Sequence, residues 1–392
     1  MKPASYLPNL TPLRGIAALL TVIYHVDLMI GGTLFNNPSF ITRVYLMVDF
    51  FFILSGFIMC HVYAKWFAES VNTVSFKKFT IARFARVYPL HFVMLCYTVL
   101  LFFIGHKLGV PKIDVLQIEN NTYSFITNLL LIQSMNFHNW FTWVHASWSI
   151  STEWWAYMLF PFLVKPFMRL KAMGLSMVML SCVAGYILIT YFIVPLVTIP
   201  PEIPFVKIDP SMLSLDVAYQ YGFLRCLCGF VLGMILYRSY TDEWGKQFFG
   251  NGFIMAVATI LCFLCMQYSL PDFITVLFFP FIILSGAYGS SVMNKIFGSK
   301  PFQRLGDWSF SIYLVHQPLM FTIGIILSYL NPVDPSKPPQ GSPEVPTKLT
   351  SWMICVGIIA LTLLFSWLTY RFIEVPARKR INRKGKGVAT HL

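Results

Sequence analysis

Ten apolar segments, each roughly 20 residues long, follow one another along this chain of 392 residues. About 20 such residues allow a helix to cross ~30 Å of hydrocarbon. The sequence is 57% hydrophobic and 11% charged, whereas soluble domains carry about 25% charged residues. We therefore predict an all-α integral membrane protein. The predicted spans are residues 13–30, 44–64, 87–105, 147–164, 173–194, 219–237, 251–269, 272–290, 309–330 and 351–372.

Lysine and arginine are divided unevenly between the predicted loops. An even number of spans puts both termini on one side. With the N-terminus inside, 22 of the 29 lysines and arginines fall on cytosolic segments, 6 fall outside and Arg225 lies within a span. Because basic residues collect in cytoplasmic loops, both termini are predicted to be cytosolic. The net charge of +13 then reflects topology and attraction to anionic lipid, and nucleic acid is not an expected partner.

The remaining segments predict one membrane domain, residues 1–376, and a basic tail, residues 377–392, which lies on the inner leaflet or is disordered. The first span lacks a signal-peptide pattern and is expected to be retained. Residues 124–136 are apolar but too short to cross, so they should be interfacial or re-entrant. The proline-rich loop 331–350 should be extended. The eight cysteines lie in apolar spans and read as small hydrophobic residues, so no metal is expected.

Arg14 and His25 are ionisable residues of the first span, where each is costly and therefore a candidate for function. Eleven residues make just over three helical turns, so both side chains share one face about 16 Å apart along the axis. His25 is then near mid-membrane, where a neutral imidazole can act as a general base toward a hydroxyl. The alternative is a core histidine bonded to a neighbouring helix, with Arg14 at the headgroups.

Two carboxylates are candidates for holding that imidazole. Asp49 lies about one turn into the second span, and Gly56, seven residues later, predicts a close helix approach. Asp49 either orients the ring or makes a helix-end or interhelical hydrogen bond. Glu153 shares a stripe with Ser149 and Tyr157, and it needs a partner, either His25 or an arginine.

Basic and polar residues near other span ends allow two interpretations each. Arg83 and Arg86 share a helix face after Lys77 and Lys78, which is typical either of cytosolic anchoring or of a phosphate clamp. Tyr313 and His316 share a face with Ser309 and are either structural or part of a site. At the inner end of the last span, the i, i+3 spacing of Arg371 and Glu374 predicts a salt bridge.

Five sequence stretches with polar or charged residues follow one another along the chain: LRGIAALLTVIYH, VDFFFILSGF, ARFARVYPLH, SWSISTEWWAYMLFPFL and LGDWSFSIYLVHQP. Together they resemble the acyltransferase-3 family of bacterial membrane O-acyltransferases, from Leu13 to Pro318. The resemblance implies transfer of an acyl group, most often acetyl, from cytosolic acyl-CoA. It also implies a hydroxyl acceptor on an envelope glycan, such as lipopolysaccharide O-antigen, exopolysaccharide or a lipid-linked sugar, at the outer face of the cytoplasmic (inner) membrane.

The resemblance also assigns roles. His25 and Arg14 correspond to the family's essential first-helix pair, Arg83 and Arg86 to its paired arginines, and Glu153 to its acidic motif, although Trp154 stands where a second acidic residue is common. Many relatives carry an outer hydrolase-like domain, and only a basic tail follows here, so the chain is expected to act alone or to pass on its acyl group. The expected donor-binding residues are Arg14, Lys77, Arg83, Arg86, Tyr313 and His316.

These expectations combine into one route. A polar path leads acetyl-CoA from the arginines to His25, which acts as base on the acceptor hydroxyl or carries the acyl group itself, while Asp49 or Glu153 holds its tautomer. The runner-up is a transporter or flippase for a glycolipid or acyl carrier, which inverted repeats and broken spans would favour. A third alternative is a non-catalytic membrane sensor.

Overall fold

The computed structural model describes residues 6–35, 40–110, 118–200, 213–331 and 346–384, and every regular element there is helical, as predicted. A 3-10 helix, Phe40–Leu46, leads into α2, and π-helical segments cover Ile189–Ile193 and Tyr370–Glu374. The α-helices are α1 Leu10–Met29, α2 Met47–Phe67, α3 Thr73–Lys107, α4 Thr122–Leu129, α5 Ser147–Met168, α6 Ala172–Leu188, α7 Gly222–Thr241, α8 Lys246–Phe249, α9 Gly252–Gln267, α10 Asp272–Val276, α11 Phe279–Tyr288, α12 Ser291–Phe297, α13 Lys300–Asp307, α14 Ser309–Leu330, α15 Lys348–Thr369 and α16 Val375–Lys384.

Helices lie at all ten predicted positions, but not all of them qualify as spans. Within the described ranges, seven helices are long and apolar enough to cross a membrane, or eight if the pair Asp272–Tyr288 and Ser291–Phe297, bent by 92°, is one span. Helix α9 has only 16 residues, and α5 begins with the polar stretch SWSISTE. The structure therefore supports a multi-pass membrane protein and does not confirm ten spans.

Helix α3 is longer than the predicted span 87–105. It runs for 35 residues, about 52 Å at 1.5 Å per residue, and so extends beyond the hydrocarbon. Its first turn is capped by Asn72, whose side chain accepts a hydrogen bond of 2.9 Å from the Ser75 amide. Arg83 and Arg86, predicted to precede a span, lie inside this continuous helix, and both side chains line a cavity.

Glycines set the spacing of the central helices. A Cβ at Gly56 of α2 would lie 1.9 Å from the Phe230 carbonyl oxygen of α7, and a Cβ at Gly233 would lie 1.9 Å from the Ile53 carbonyl oxygen. The two backbones can touch only because both positions lack side chains, which confirms the prediction for Gly56. At Gly306, a Cβ would lie 2.2 Å from the Thr11 carbonyl oxygen, so α1 and α13 approach as closely near Arg14.

The short outer segment and the tail complete the fold. Helix α4 has eight residues, about 12 Å, and cannot cross the hydrocarbon, as predicted for 124–136. The first part of the predicted tail is a helix, α16, which packs against α3, so the boundary placed at 376/377 falls inside an ordered element. The position of the tail on the inner leaflet stays a prediction. Most of the proline-rich loop, residues 332–345, and the end of the tail, 385–392, lie outside the described residues.

Candidate functional site

A cavity of about 1270 Å³ lies between α1, α2, α3, α5, α14 and α16. It brings together most of the predicted site residues from different helices. Lys77 is not one of them: its side chain is exposed and does not line the cavity, whereas the adjacent Lys78 does. The predicted residues that line the cavity are Arg14, Arg83, Arg86, Glu153 and Tyr313.

The three arginines of the cavity have different partners. Arg83 donates a hydrogen bond of 2.9 Å from Nη2 to the Tyr63 hydroxyl. Arg86 forms an ion pair of 2.7 Å with Glu374. Arg14 makes no hydrogen bond or ion pair with any residue in the described part of the chain, although it is partly buried. An unpaired guanidinium in such a place favours an anionic ligand.

The ion pair of Arg86 corrects a prediction for the last span. Glu374 was expected to pair with Arg371, but its carboxylate accepts from Arg86 and from the Ser311 hydroxyl. Arg371 lies over the ring of Trp367 at 5.7 Å. Residues three apart no longer share a face because this segment is π-helical.

Glu153 is held by hydroxyl groups and not by an imidazole. Its Oε1 accepts hydrogen bonds of 2.5 Å from both Ser55 and Tyr157. The Arg83 guanidinium lies 5.8 Å from the centre of the Tyr157 ring, and neither predicted partner, His25 or an arginine, forms a hydrogen bond with Glu153 in the described part of the chain. The structure therefore places Glu153 on the cavity wall and does not bring it to His25.

His25 and His316 meet between α1 and α14. Nδ1 of His25 lies 2.9 Å from the Thr21 carbonyl oxygen, and since a carbonyl only accepts, Nδ1 carries the proton. Nε2 of His316 lies 3.3 Å from the same Nδ1, while Nδ1 of His316 faces the Ile312 carbonyl oxygen at 3.3 Å. Nε2 of His25 has no hydrogen-bond partner among the described residues, so its lone pair is available to act as a base.

Asp49 forms an ion pair with Arg225 and does not contact His25. Its carboxylate accepts from Nε of Arg225 at 3.1 Å and from Nη2 at 2.6 Å, and both side chains are fully buried. The predicted role of orienting His25 is therefore not met by Asp49 in this structure, and the Thr21 carbonyl holds the tautomer. The reason is electrostatic: Arg225 lies within a span and needs a counter-charge.

A third histidine, which the sequence did not single out, lies near this pair. Burial, together with the nearby His25, lowers the pKa of His145 to about 3, so the ring is neutral. Its Nε2 is buried and has no hydrogen-bond partner within the described ranges. The Phe141 ring stacks on it at 5.3 Å. The sequence signal that could have identified His145 is its position just before the polar SWSISTE stretch.

The cavity and the histidine pair are adjacent but separate. His25 and His316 are not among the described residues that line the cavity. Tyr313 lines it, and its ring centre lies 6.0 Å from that of His316. The Tyr313 and Ser149 hydroxyls are 2.8 Å apart, and the Phe51 ring packs against Tyr313 at 5.9 Å. The predicted open path is therefore closed at this wall. Among described residues, no group of three or more His, Cys, Asp or Glu side chains could hold a metal ion.

Comparison with known proteins places the chain in a family. The family model described as an acyltransferase domain matches residues 8–371. The chain is 23% identical to the peptidoglycan O-acetyltransferase OatA of Listeria monocytogenes, over 95% of this chain and 56% of that protein. It is 24% identical to the O-acetyltransferase OatA of Staphylococcus aureus, over 96% and 58%. The chain thus spans just over half the length of these relatives. No solved structure matches it significantly.

Proposed function

Since this chain belongs to the acyltransferase-3 family, as its sequence motifs predicted, we propose that it is a membrane O-acetyltransferase that uses cytosolic acetyl-CoA. The acceptor is a hydroxyl of an envelope glycan at the outer face of the cytoplasmic membrane. The peptidoglycan named for the Listeria relative belongs to this acceptor class, as do lipopolysaccharide O-antigen and exopolysaccharide. Both termini lie in the cytosol.

The observation that carries the proposal is that a cavity suited to binding an anion lies next to a histidine that can act as a base. Arg14 lines a cavity of about 1270 Å³ with no protein partner in the described ranges, which suits an anionic donor. Behind the cavity wall, Nε2 of His25 has no hydrogen-bond partner among the residues that the structure describes, and the Thr21 carbonyl fixes the tautomer of the ring. Transfer requires the donor and the base to meet, and Tyr313 is the residue of the wall that lies between them.

The reaction follows from these positions. The acceptor hydroxyl gives its proton to Nε2 of His25 as its oxygen attacks the thioester carbonyl carbon. The tetrahedral intermediate then expels the CoA sulfur, which takes the proton back from the imidazolium. The products are an acetyl ester and free CoA, with no net proton change. Tyr313 has to move from Ser149 for the thioester to reach His25, and its hydroxyl can then donate to the carbonyl oxygen.

Purified protein in lipid vesicles tests the proposal. We expect it to consume acetyl-CoA and to form an acetyl ester on a glycan acceptor, and His25→Ala to lower the rate by about 10² to 10⁴-fold. His106→Ala, at an exposed position near the end of α3, is the matched control and should retain the rate. Retained activity in His25→Ala would remove the base from the mechanism. Movement of a glycolipid without thioester consumption would identify a transporter.

A further inference from the structure

Helix α16 forms one wall of the cavity mouth, at the predicted cytosolic end. Its sequence, VPARKRINRK, is rich in cations. Arg378, Lys379, Asn382 and Arg383 line the cavity, but Arg380 does not. At 100° per residue, the four lining residues fall within a stripe of about 140°, and Arg380 lies about 130° from its centre. The basic face of this helix is therefore directed into the cavity.

Two neighbouring helices add a cation and an aromatic ring to the cavity lining. Lys78, in the second turn of α3, and Trp66, at the end of α2, line the same cavity. The acidic residue nearby is Asp307, whose side chain is exposed, and its single negative charge is outnumbered by Lys78 and the cations of α16 that line the same cavity. The mouth thus presents a strongly positive rim with a ring suitable for stacking.

The deeper part of the cavity is less able to bind several phosphates. Arg86 is neutralised by Glu374, and Arg83 is bound to Tyr63. Glu153 adds negative charge, and Phe51 and Phe52 add apolar surface. A CoA thioester carries three phosphates at its nucleotide end and an uncharged pantetheine arm at the other. Its charged end therefore fits the mouth, and its uncharged arm fits the deeper part.

We propose that the basic face of α16, together with Lys78, binds the phosphates of the donor's nucleotide, the adenosine 3′,5′-bisphosphate end of acetyl-CoA. This inference rests on the proposed function. It gives a role in substrate binding to residues that the sequence assigned to a lipid-bound or disordered tail. Phosphate is also the charged group of anionic lipid headgroups, so the experiment has to separate the two sources.

Comparing acetyl-CoA with acetyl-pantetheine as donors tests the proposed phosphate subsite. The double variant Lys379→Gln, Arg383→Gln removes two exposed cations, and Arg380→Gln is the matched control on the same helix. We expect the double variant to raise KM for acetyl-CoA roughly 2- to 30-fold. KM for acetyl-pantetheine, which lacks the nucleotide, should stay unchanged, and Arg380→Gln should change neither. Equal effects on both donors, no effect, or an equal effect of Arg380→Gln would overturn the subsite.

Nucleotide binding separates this inference from the proposed function. Detergent-purified protein without added lipid should bind adenosine 3′,5′-bisphosphate, and the double variant should bind it more weakly by a similar factor. If it does, and no acetyl transfer occurs, the subsite stands and the proposed function fails. If transfer occurs with unchanged nucleotide binding in the double variant, the subsite fails alone. Loss of affinity only for vesicles that contain anionic phospholipid would assign α16 to the membrane surface.

Discussion

Nε2 of His316 lies 3.3 Å from Nδ1 of His25, across the contact between α1 and α14. The two rings are 4.9 Å apart at their centres and tilted by 50°. Because the Thr21 carbonyl shares the same Nδ1 proton, His25 is held from two sides with Nε2 pointing away from both. We therefore infer that His316 positions the proposed base, and its predicted role in donor binding stays a prediction, although it does not line the cavity among the described residues.

Replacing His316 tests that role. His316→Ala removes an acceptor that orients His25, so we expect kcat to fall roughly 10-fold with little change in KM for acetyl-CoA. His316→Gln keeps an oxygen acceptor and should recover part of the rate. Steady-state kinetics with both substrates measure the effect. A rise in KM for acetyl-CoA at constant kcat would return His316 to the donor-binding set.

The wall formed by Tyr313 and Ser149 gives a second prediction. Tyr313→Ala opens the cavity toward the histidines, so water should reach the thioester, and acetyl-CoA hydrolysis should rise relative to transfer. Tyr313→Phe keeps the ring and is the control for the opening. Thiol release and ester formation are measured together. An unchanged ratio of hydrolysis to transfer in Tyr313→Ala would show that the ring does not close the cavity.

The Asp49–Arg225 pair gives a prediction on stability. Asp49→Ala leaves the buried Arg225 guanidinium with Asp216, at 3.8 Å and exposed, as its remaining carboxylate among the described residues. We expect the free energy of unfolding to fall by about 3 kcal/mol, the lower end of the cost of breaking a buried pair. The pair Asp49→Leu, Arg225→Met removes both charges and should recover much of that loss. Thermal unfolding in detergent measures both. If Asp49→Ala instead keeps its stability and loses kcat, then Asp49 acts in the reaction, as the sequence first indicated.

The glycine contact between α2 and α7 gives a fourth prediction. Gly56→Ala places a methyl group against the Phe230 backbone, which cannot yield as a flexible side chain would, and we expect a loss of about 1–3 kcal/mol. Gly357→Ala in α15 is the control, because its Cβ meets nothing within 4 Å in the described structure. That variant should be neutral or slightly stabilised. Equal thermal stability of the two variants would contradict the close packing.

Relationships within one helix were predictable from the sequence, because a helix repeats every 3.6 residues. This reasoning selected Arg14, Arg83 and Tyr313, which line one cavity. It failed for Arg371 and Glu374, where the helix locally widens into a π-helix.

Relationships between helices were not predictable in the same way. The partners of Asp49 and Glu153 lie 176 and 98 residues away in the chain, at Arg225 and Ser55. Charge alone offered several partners to each carboxylate, and only the packing of the helices decides among them. The same holds for α16, whose composition is typical of a disordered or lipid-bound tail and whose order comes from its contact with α3.

Vesicles of defined orientation test the central claim most directly. Acetyl-CoA is supplied only on the face that bears α16, and an oligosaccharide acceptor is enclosed on the other face. The account predicts acetyl esters on the enclosed acceptor with the unmodified protein and none with His25→Ala. Acetylation that requires donor and acceptor on the same face would contradict it.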